Sequence, residues 1–264
     1  MKIVPATPLI GVEISDIDLC TPSDDEIATI DEALLDHLVV VFRNQNLDDV
    51  SQQTLAHRLG TVEQFPFAPS GPPDAPDVHQ ITTGGEAPKT ANADTWHSDA
   101  TFMECPPEAS LLRAVELPPL GGDTLWASSY AAFESLSSRV QRMIDDMTAT
   151  HSVTKSSAHR RPIHDQYPPV HHPVVRTHPE TGRKGLFVNR IFTVCLDGVT
   201  ERENETLLPF LCDTFLQPDI QFRLTWQPGT VVLWDNRSTQ HYATFDYSER
   251  RVMRRILLRG DRPS

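Results

Sequence analysis

The stretch TWHSDATF, residues 95–102, places His97 and Asp99 two residues apart. In an extended chain, side chains at i and i+2 share a face, about 6.6 Å apart at roughly 3.3 Å per residue. A neutral imidazole nitrogen and a hard carboxylate at that spacing can grip one metal ion from adjacent directions. Two histidines and one carboxylate, with the remaining positions open, suit non-haem Fe(II). Taken alone the H-x-D pair is weak, because the chain carries 11 histidines and a solvated loop would hold such a pair by chance. A third ligand must come from elsewhere. His171 and His172 lie in a Pro-rich loop and His178 in a turn. His241, in WDNRSTQHYATFDY, follows a strong strand and precedes an arginine-rich one, which makes it the best candidate.

The elements that must position these residues are legible in outline. Ser23 opens a capping box with Glu26, and Ile27, Ile30, Leu34 and Leu38 follow at helical spacing. LVVVFR (38–43) is β-branched and continuous, as a buried strand should be. DDVSQQTLAHRLG predicts a helix that ends with Gly60 at C′. Residues 61–95 and 152–172 are irregular and rich in Pro, Gly or basic residues, and each predicts a lid loop rather than a linker. A long helix is expected over 128–148, with Phe133, Leu136, Val140, Met143 and Met147 on one face. HPVVRTHPETGRKGLFVNRIF predicts two strands around a PETG turn. Thr200 and Glu203 box a further helix carrying Leu207, Leu208, Leu211 and Phe215. QFRLTW, TVVLWD and RRVMRRILLRG then alternate as strands. The sum is a mixed α+β domain with a double-layered sheet.

Composition narrows the function. The formal charge of −13 over 264 residues, with a pI near 5.2, leaves no basic surplus to neutralise phosphates and argues against nucleic acid. A few local arginines can still create a site for a small anion. The four cysteines are scattered without a C-x-x-C pair, as expected of reduced thiols. No run reaches the length of a membrane span, so no membrane association and a cytoplasmic location are expected.

Four blocks, WHSDATF, PPLGGDTLWASSYAAFESLS, HPVVRTHPETGRKGLFVN and WDNRSTQHYATFDYSERRVMRR, together resemble the taurine dioxygenase (TauD/TfdA) family of Fe(II)- and 2-oxoglutarate-dependent dioxygenases. The resemblance implies a single such domain over residues 1–264, with a double-stranded β-helix (jelly-roll) core flanked by helices. It implies iron on His97, Asp99 and His241, with open positions for 2-oxoglutarate and dioxygen. A substrate carbon would be hydroxylated with release of succinate and CO2. A carboxylate at Asp99, where halide-binding relatives carry Ala or Gly, points to hydroxylation over halogenation. Arg251 matches the family's 2-oxoglutarate arginine, and its bidentate fork suits a carboxylate. Thr124 matches the hydroxyl donor to the same group. Local context alone leaves Arg251 open between that role and a surface charge on an edge strand. If RRVMRRILL is a strand, Arg251, Met253 and Arg255 share a face, with the two arginine stems about 13 Å apart at roughly 3.3 Å per residue. Two cations so spaced suit two anions flanking the metal. Arg255 matches the arginine that holds the sulfonate in the taurine enzyme, and Arg250 and Arg254 are expected to face solvent.

Departures from the family bear on the substrate. The sulfonate-binding histidine aligns with Phe65, an asparagine ahead of the metal motif with Ala93, and a lid aromatic with Ser157. Phe192 keeps an aromatic wall, Ala100 lies beside the metal motif, and Arg190 replaces an acidic residue near the pocket or at the surface. Arg255, Phe192, Phe65 and Ala100 are the candidate substrate residues. A site built around hydrogen bonds rejects strongly when they are unmatched. The expected substrate is therefore not taurine but another small anion: an alkyl sulfonate, alkyl sulfate or carboxylate. Family relatives also imply a homo-oligomer, dimer or tetramer. Two other readings compete: a jelly-roll metal protein that binds a small molecule without oxygen chemistry, and a zinc hydrolase using the same three ligands. The second leaves the paired arginines and the Thr124 block unexplained.

Overall fold

The computed structural model describes residues 1–64, 70–86, 93–153 and 166–264. The chain opens with β1 (Lys2–Pro5) and β2 (Val12–Ser15), then α1 (Asp24–His37), β3 (Val39–Phe42) and α2 (Asp49–Leu59). β4 (Val62–Glu63), β5 (His79–Thr83), β6 (Ala109–Glu116) and β7 (Thr124–Ser128) lead to α3 (Ser129–Glu134) and α4 (Ser138–Ile144). Next come β8 (Thr148–His151), β9 (Val170–Pro173), β10 (Val175–Thr177), β11 (Lys184–Leu186), β12 (Thr193–Leu196) and α5 (Glu201–Asp213). β13 (Gln221–Leu224), β14 (Val231–Asp235), β15 (Thr239–Ala243) and β16 (Arg251–Leu258) complete the fold.

The large sheet runs β1-β2-β3-β14-β6-β16-β4, with β5 also paired to β16. Facing it is the small sheet β13-β7-β15. Period-two alternation decides which residue meets which layer. Val39, Val41, Val232 and Trp234 point inward and meet Trp126 and Leu224 of the small sheet. Val40, Phe42, Val231 and Leu233 point outward and pack under α1 and α2 against Ile27, Ile30, Leu34 and Leu55. The two sheets thus enclose one core while helices cover the back of the large sheet, a jelly-roll arrangement.

Both predicted capping boxes are present, Ser23 with Glu26 and Thr200 with Glu203. The strands around PETG pair in register from Val175↔Leu186 to Thr177↔Lys184.

Four expectations are corrected. The helix over 128–148 is two helices, because Ser137 caps α4 by accepting from the Val140 amide and turns the chain at Leu136. Phe133, Leu136, Val140 and Met147 still pack on one core, so the helical period reads across the corner, whereas Met143 is exposed. Gly60 ends α2 in extended backbone rather than left-handed, and it is α1 that ends on a left-handed residue, Leu38 with φ 67°. The irregular stretch 61–95 contains β4 and β5, both paired to β16; its residues 65–69 and 87–92 lie outside the described residues. Arg254 does not face solvent, because α2 covers that side of β16 and its Nε donates to Asp49 at 3.1 Å. Arg250 is exposed and pairs with Glu116. Among the described residues no helix is long and apolar enough to cross a membrane.

Gln52 ties α2 to the sheet beneath it. It is fully buried; its amide donates to the Leu111 and Arg254 carbonyls and its oxygen accepts from Arg113 Nε at 3.0 Å. Replacing it with Leu strands these partners in an apolar contact, so Gln52→Leu should lose about 1–3 kcal/mol, read as a lower urea midpoint at unchanged slope.

Candidate metal centre and its flanking arginines

Strand pairing brings a third candidate ligand to the first two. β15 carries His241, and His97 forms an isolated antiparallel bridge to it, with reciprocal backbone hydrogen bonds of 3.1 and 2.7 Å. The imidazole centroids stand 4.2 Å apart. Just past His97 the chain turns, and Ala100 adopts φ 48°. Ligand atoms of His97, Asp99 and His241 all lie within 4.8 Å of one another, and all three residues are buried. The competing histidines are engaged elsewhere: His171 with Asp197, His172 with the Met103 carbonyl, His178 with Asp235.

The donor set and its surroundings fit a divalent metal. His97 Nδ1 lies 2.7 Å from the Thr95 carbonyl, which places the proton on Nδ1 and leaves the Nε2 lone pair for the ion. Asp99 is held from behind by a relay: Trp234 Nε1 donates to Asn236, whose amide donates to the Ser110 hydroxyl, which donates to Asp99 Oδ2 at 3.0 Å. Asp99 Oδ1 accepts from Arg255 Nη1 at 3.0 Å. Burial pushes the Asp99 carboxyl up, but Arg255, the two imidazoles and Ser110 outweigh it and hold it down at about 2. Burial and the neighbouring His97 push the His241 ring down to about 3. Burial also lowers His97, against the pull of Asp99. The site therefore presents one carboxylate and two neutral imidazoles at neutral pH, as metal binding requires.

On one side of this centre sits Arg251, only 5% exposed, whose Nε and Nη2 have no hydrogen-bond partner among the described residues. Burial lowers its pKa, with Tyr247 acting in the opposite sense. A buried guanidinium with idle donors calls for an anion. Its Cζ lies over the Trp226 ring, 5.8 Å from the centroid, and Trp226 Nε1 donates to Thr124 Oγ1 at 2.9 Å. That bond occupies one acceptor lone pair of the Thr124 hydroxyl, whose O–H remains a donor. Gly122 makes the approach possible: a Cβ there would come within 3.2 Å of Arg251 Cδ and Nε. A carboxylate fits this cradle of guanidinium and hydroxyl.

On the other side lies Arg255, on the same inner face of β16 as Met253 and Arg251, as alternation predicts. Ala100 is buried with Phe102, Ile191 and Phe192, and the Phe102 and Phe192 rings are 5.1 Å apart. Ala100 and Phe192 are thus together. Phe65 and Ser157 lie outside the described residues. Ala93 offers its carbonyl to the Ala243 amide, and Arg190 pairs with Asp213 at the surface. Beneath the wall, Thr101 Oγ1 meets His151 Nδ1 and Asn189 Nδ2, each at 2.9 Å, and Asn189 in turn accepts from the Phe192 amide.

Residue-level reading missed Ser110, Trp226, Tyr247, Phe102 and His79. His79 is the Cα partner of Arg255 across β5 and β16. Burial and the Arg255 charge push its ring down to about 4. The alternation in DVHQITT was the available signal, hidden among the prolines and glycines on either side.

Residues 2–257 match the family described as taurine catabolism dioxygenase TauD, TfdA family. The chain is 36% identical to an alkylsulfatase of Acinetobacter baylyi, over 97% of this chain and 84% of that protein. It is 32% identical to an alpha-ketoglutarate-dependent sulfate ester dioxygenase of Pseudomonas putida, over 100% of this chain and 91% of that protein. Among solved structures, a taurine dioxygenase from Burkholderia xenovorans superposes with a TM-score of 0.86 at 33% identity, covering 99% of this chain and 92% of that one.

The depressed His241 ring sets a pH response. Unfolded, an ordinary imidazole takes up a proton below about 6.5; folded, His241 stays neutral down to about 3. The metal-free protein should therefore lose stability as pH falls from 6.5 toward 3, by about 1.4 kcal/mol per pH unit for a fully responding ring. Urea unfolding of metal-free protein at pH 7 and pH 5 measures this, and His241→Asn should flatten the slope.

Proposed function

The chain belongs to the TauD, TfdA family, and from that premise we propose that it is an Fe(II)- and 2-oxoglutarate-dependent dioxygenase that hydroxylates a small organic monoanion, with a sulfate ester or sulfonate favoured. His97, Asp99 and His241 would hold the iron. When bound, ferrous iron with 2-oxoglutarate supplies the activation of dioxygen, giving succinate and CO2 while one oxygen atom enters a substrate C–H bond. The protein's own residues do the rest. Arg251 and the Thr124 hydroxyl hold the distal carboxylate of 2-oxoglutarate, and the Trp226 indole keeps the Thr124 proton directed at it. Arg255 holds the substrate anion at the opposite flank. The aromatic wall of Phe102 and Phe192 excludes water and packs the substrate's apolar body, and Ser110 keeps Asp99 oriented.

The observation that carries this reading is the buried Arg251 guanidinium with two idle donors, on the same strand face as a second arginine joined to a metal-ligand carboxylate. A module that only bound a metal and a small molecule would have no use for this second anion seat. Sulfate esters are favoured because the Pseudomonas putida relative is named for that substrate class and the similarity spans the whole chain. Taurine is disfavoured, since Phe65 and Ala93 offer no side-chain hydrogen bond to a sulfonate or an amine.

The test is succinate release in air from protein loaded with Fe(II), 2-oxoglutarate and an alkyl sulfate, alkyl sulfonate or aryloxy acid. Chelation of the metal should stop it, and folded His241→Ala should give none. Arg251→Ala should raise the 2-oxoglutarate requirement about 10-fold or more, the cost of lost charge-assisted hydrogen bonds. Arg255→Ala, assayed at saturating metal, should instead weaken the substrate and leave the 2-oxoglutarate requirement near wild type. The same defect in both variants would remove the division of labour. Oxygen uptake at the uncatalysed level with every substrate class would favour the binding module.

A further inference from the structure

Arg255 has a neighbour that no feature of the metal motif requires. β5 pairs with β16 in an unbroken register, His79↔Arg255, Ile81↔Met253 and Thr83↔Arg251. Directly opposed residues of an antiparallel pair share a face, with Cβ atoms about 5 Å apart. The face is identified three times over. Ile81 packs on the inner cluster that contains Met253, Trp126 and Trp234. Thr83 is buried, with its hydroxyl 2.6 Å from Tyr247 OH, beside the Arg251 cradle. Gln80, on the opposite face, accepts from Arg254 on the helix side. β5 thus sets a polar residue beside each inner arginine: Thr83 at the Arg251 end and His79 at the Arg255 end.

Resting on the oxygenase reading, we propose that His79 and Arg255 together form the seat of the substrate's head group, and that this seat selects a three-oxygen sulfur oxyanion over a planar carboxylate. A carboxylate offers two coplanar oxygens that one guanidinium edge can saturate. Arg255 has Nη1 committed to Asp99, which reduces its capacity for such bidentate capture. A sulfate or sulfonate head offers three oxygens in three directions, so one can face Arg255 while a second accepts from a ring N–H of His79 on the adjacent strand. The imidazole supplies a directional donor and the guanidinium the charge, which matches a monoanion. This also accounts for Phe65: the head-group histidine expected there is supplied here from β5, by a residue that reaches Arg255 through cross-strand pairing.

The test is binding under anaerobic conditions, where no turnover occurs, to wild-type, His79→Ala and His79→Gln protein loaded with Fe(II) and 2-oxoglutarate. Hexyl sulfate, hexanesulfonate and hexanoate share one apolar body and differ in head group. His79→Ala should weaken the sulfate and the sulfonate about 10-fold or more, as expected for a lost hydrogen bond to an anion, and the carboxylate less than about 3-fold. His79→Gln, which restores an N–H donor, should recover the sulfate to within about 3-fold of wild type, and 2-oxoglutarate binding should be unchanged in both variants. An unchanged hexyl sulfate affinity in His79→Ala, an equal loss for all three ligands, or no binding of either sulfur oxyanion by wild type would overturn the seat. Its failure is separable from failure of the oxygenase reading. Selective binding without succinate release in air would keep the seat and sink the chemistry; succinate release with His79-independent binding would do the reverse.

Discussion

Two backbone hydrogen bonds between His97 and His241 hold the functional part of this molecule together. They join the turn after His97 to a strand near the end of the chain and set the two imidazole centroids 4.2 Å apart, with the rings tilted by 48°. Asp99 follows from the same turn and is fixed by Ser110 on the neighbouring strand β6. Backbone pairing is the right device for this task. It is insensitive to side-chain mobility, and it holds the buried donor groups close together before any ion is present to offset their desolvation.

The second constraint is electrostatic. The chain is strongly acidic overall, yet two arginines point into the space between its sheets. Each is tolerable for a different reason. Arg255 is partly neutralised by Asp99. Arg251 is buried against Trp226 with idle donors and is suited to an anion that arrives from outside. Strand alternation in β16 makes the contrast possible: the same run of five residues that sends Arg251 and Arg255 inward sends Arg254 outward to Asp49. One strand therefore serves as both the floor of the site and the anchor of α2.

Much of this was legible before any coordinates. The H-x-D spacing offered two candidate ligands, and the alternation in RRVMRRILL put Arg251, Met253 and Arg255 on one face. The capping boxes at Ser23 and Thr200 are local signals and were read correctly because each involves residues three apart. The helix over 128–148 was misread for an instructive reason: Phe133, Leu136, Val140 and Met147 do share a core, but they share it around a corner that Ser137 makes. Arg254 was misread because a charged residue on a strand looks solvated until a helix is known to cover it. β5 went unread because five residues between glycine- and proline-rich segments carry too little local pattern, and its stability comes from pairing with β16.

What the sequence determined by itself was the kind of chemistry: ligand types at a workable spacing, a hydroxyl after a Gly-Gly-Asp turn, and paired cations on one strand face. These are properties of short segments, where spacing and alternation translate directly into geometry. Only the tertiary structure shows that His241, the candidate singled out by sequence, and not His171, His172 or His178, stands beside His97 and Asp99, that Ser110 braces Asp99, and that His79 stands beside Arg255. Each of those facts is a contact between segments far apart in the chain. Such contacts are chosen by which strands pair and which faces bury, a collective outcome of packing that no local pattern of residues records.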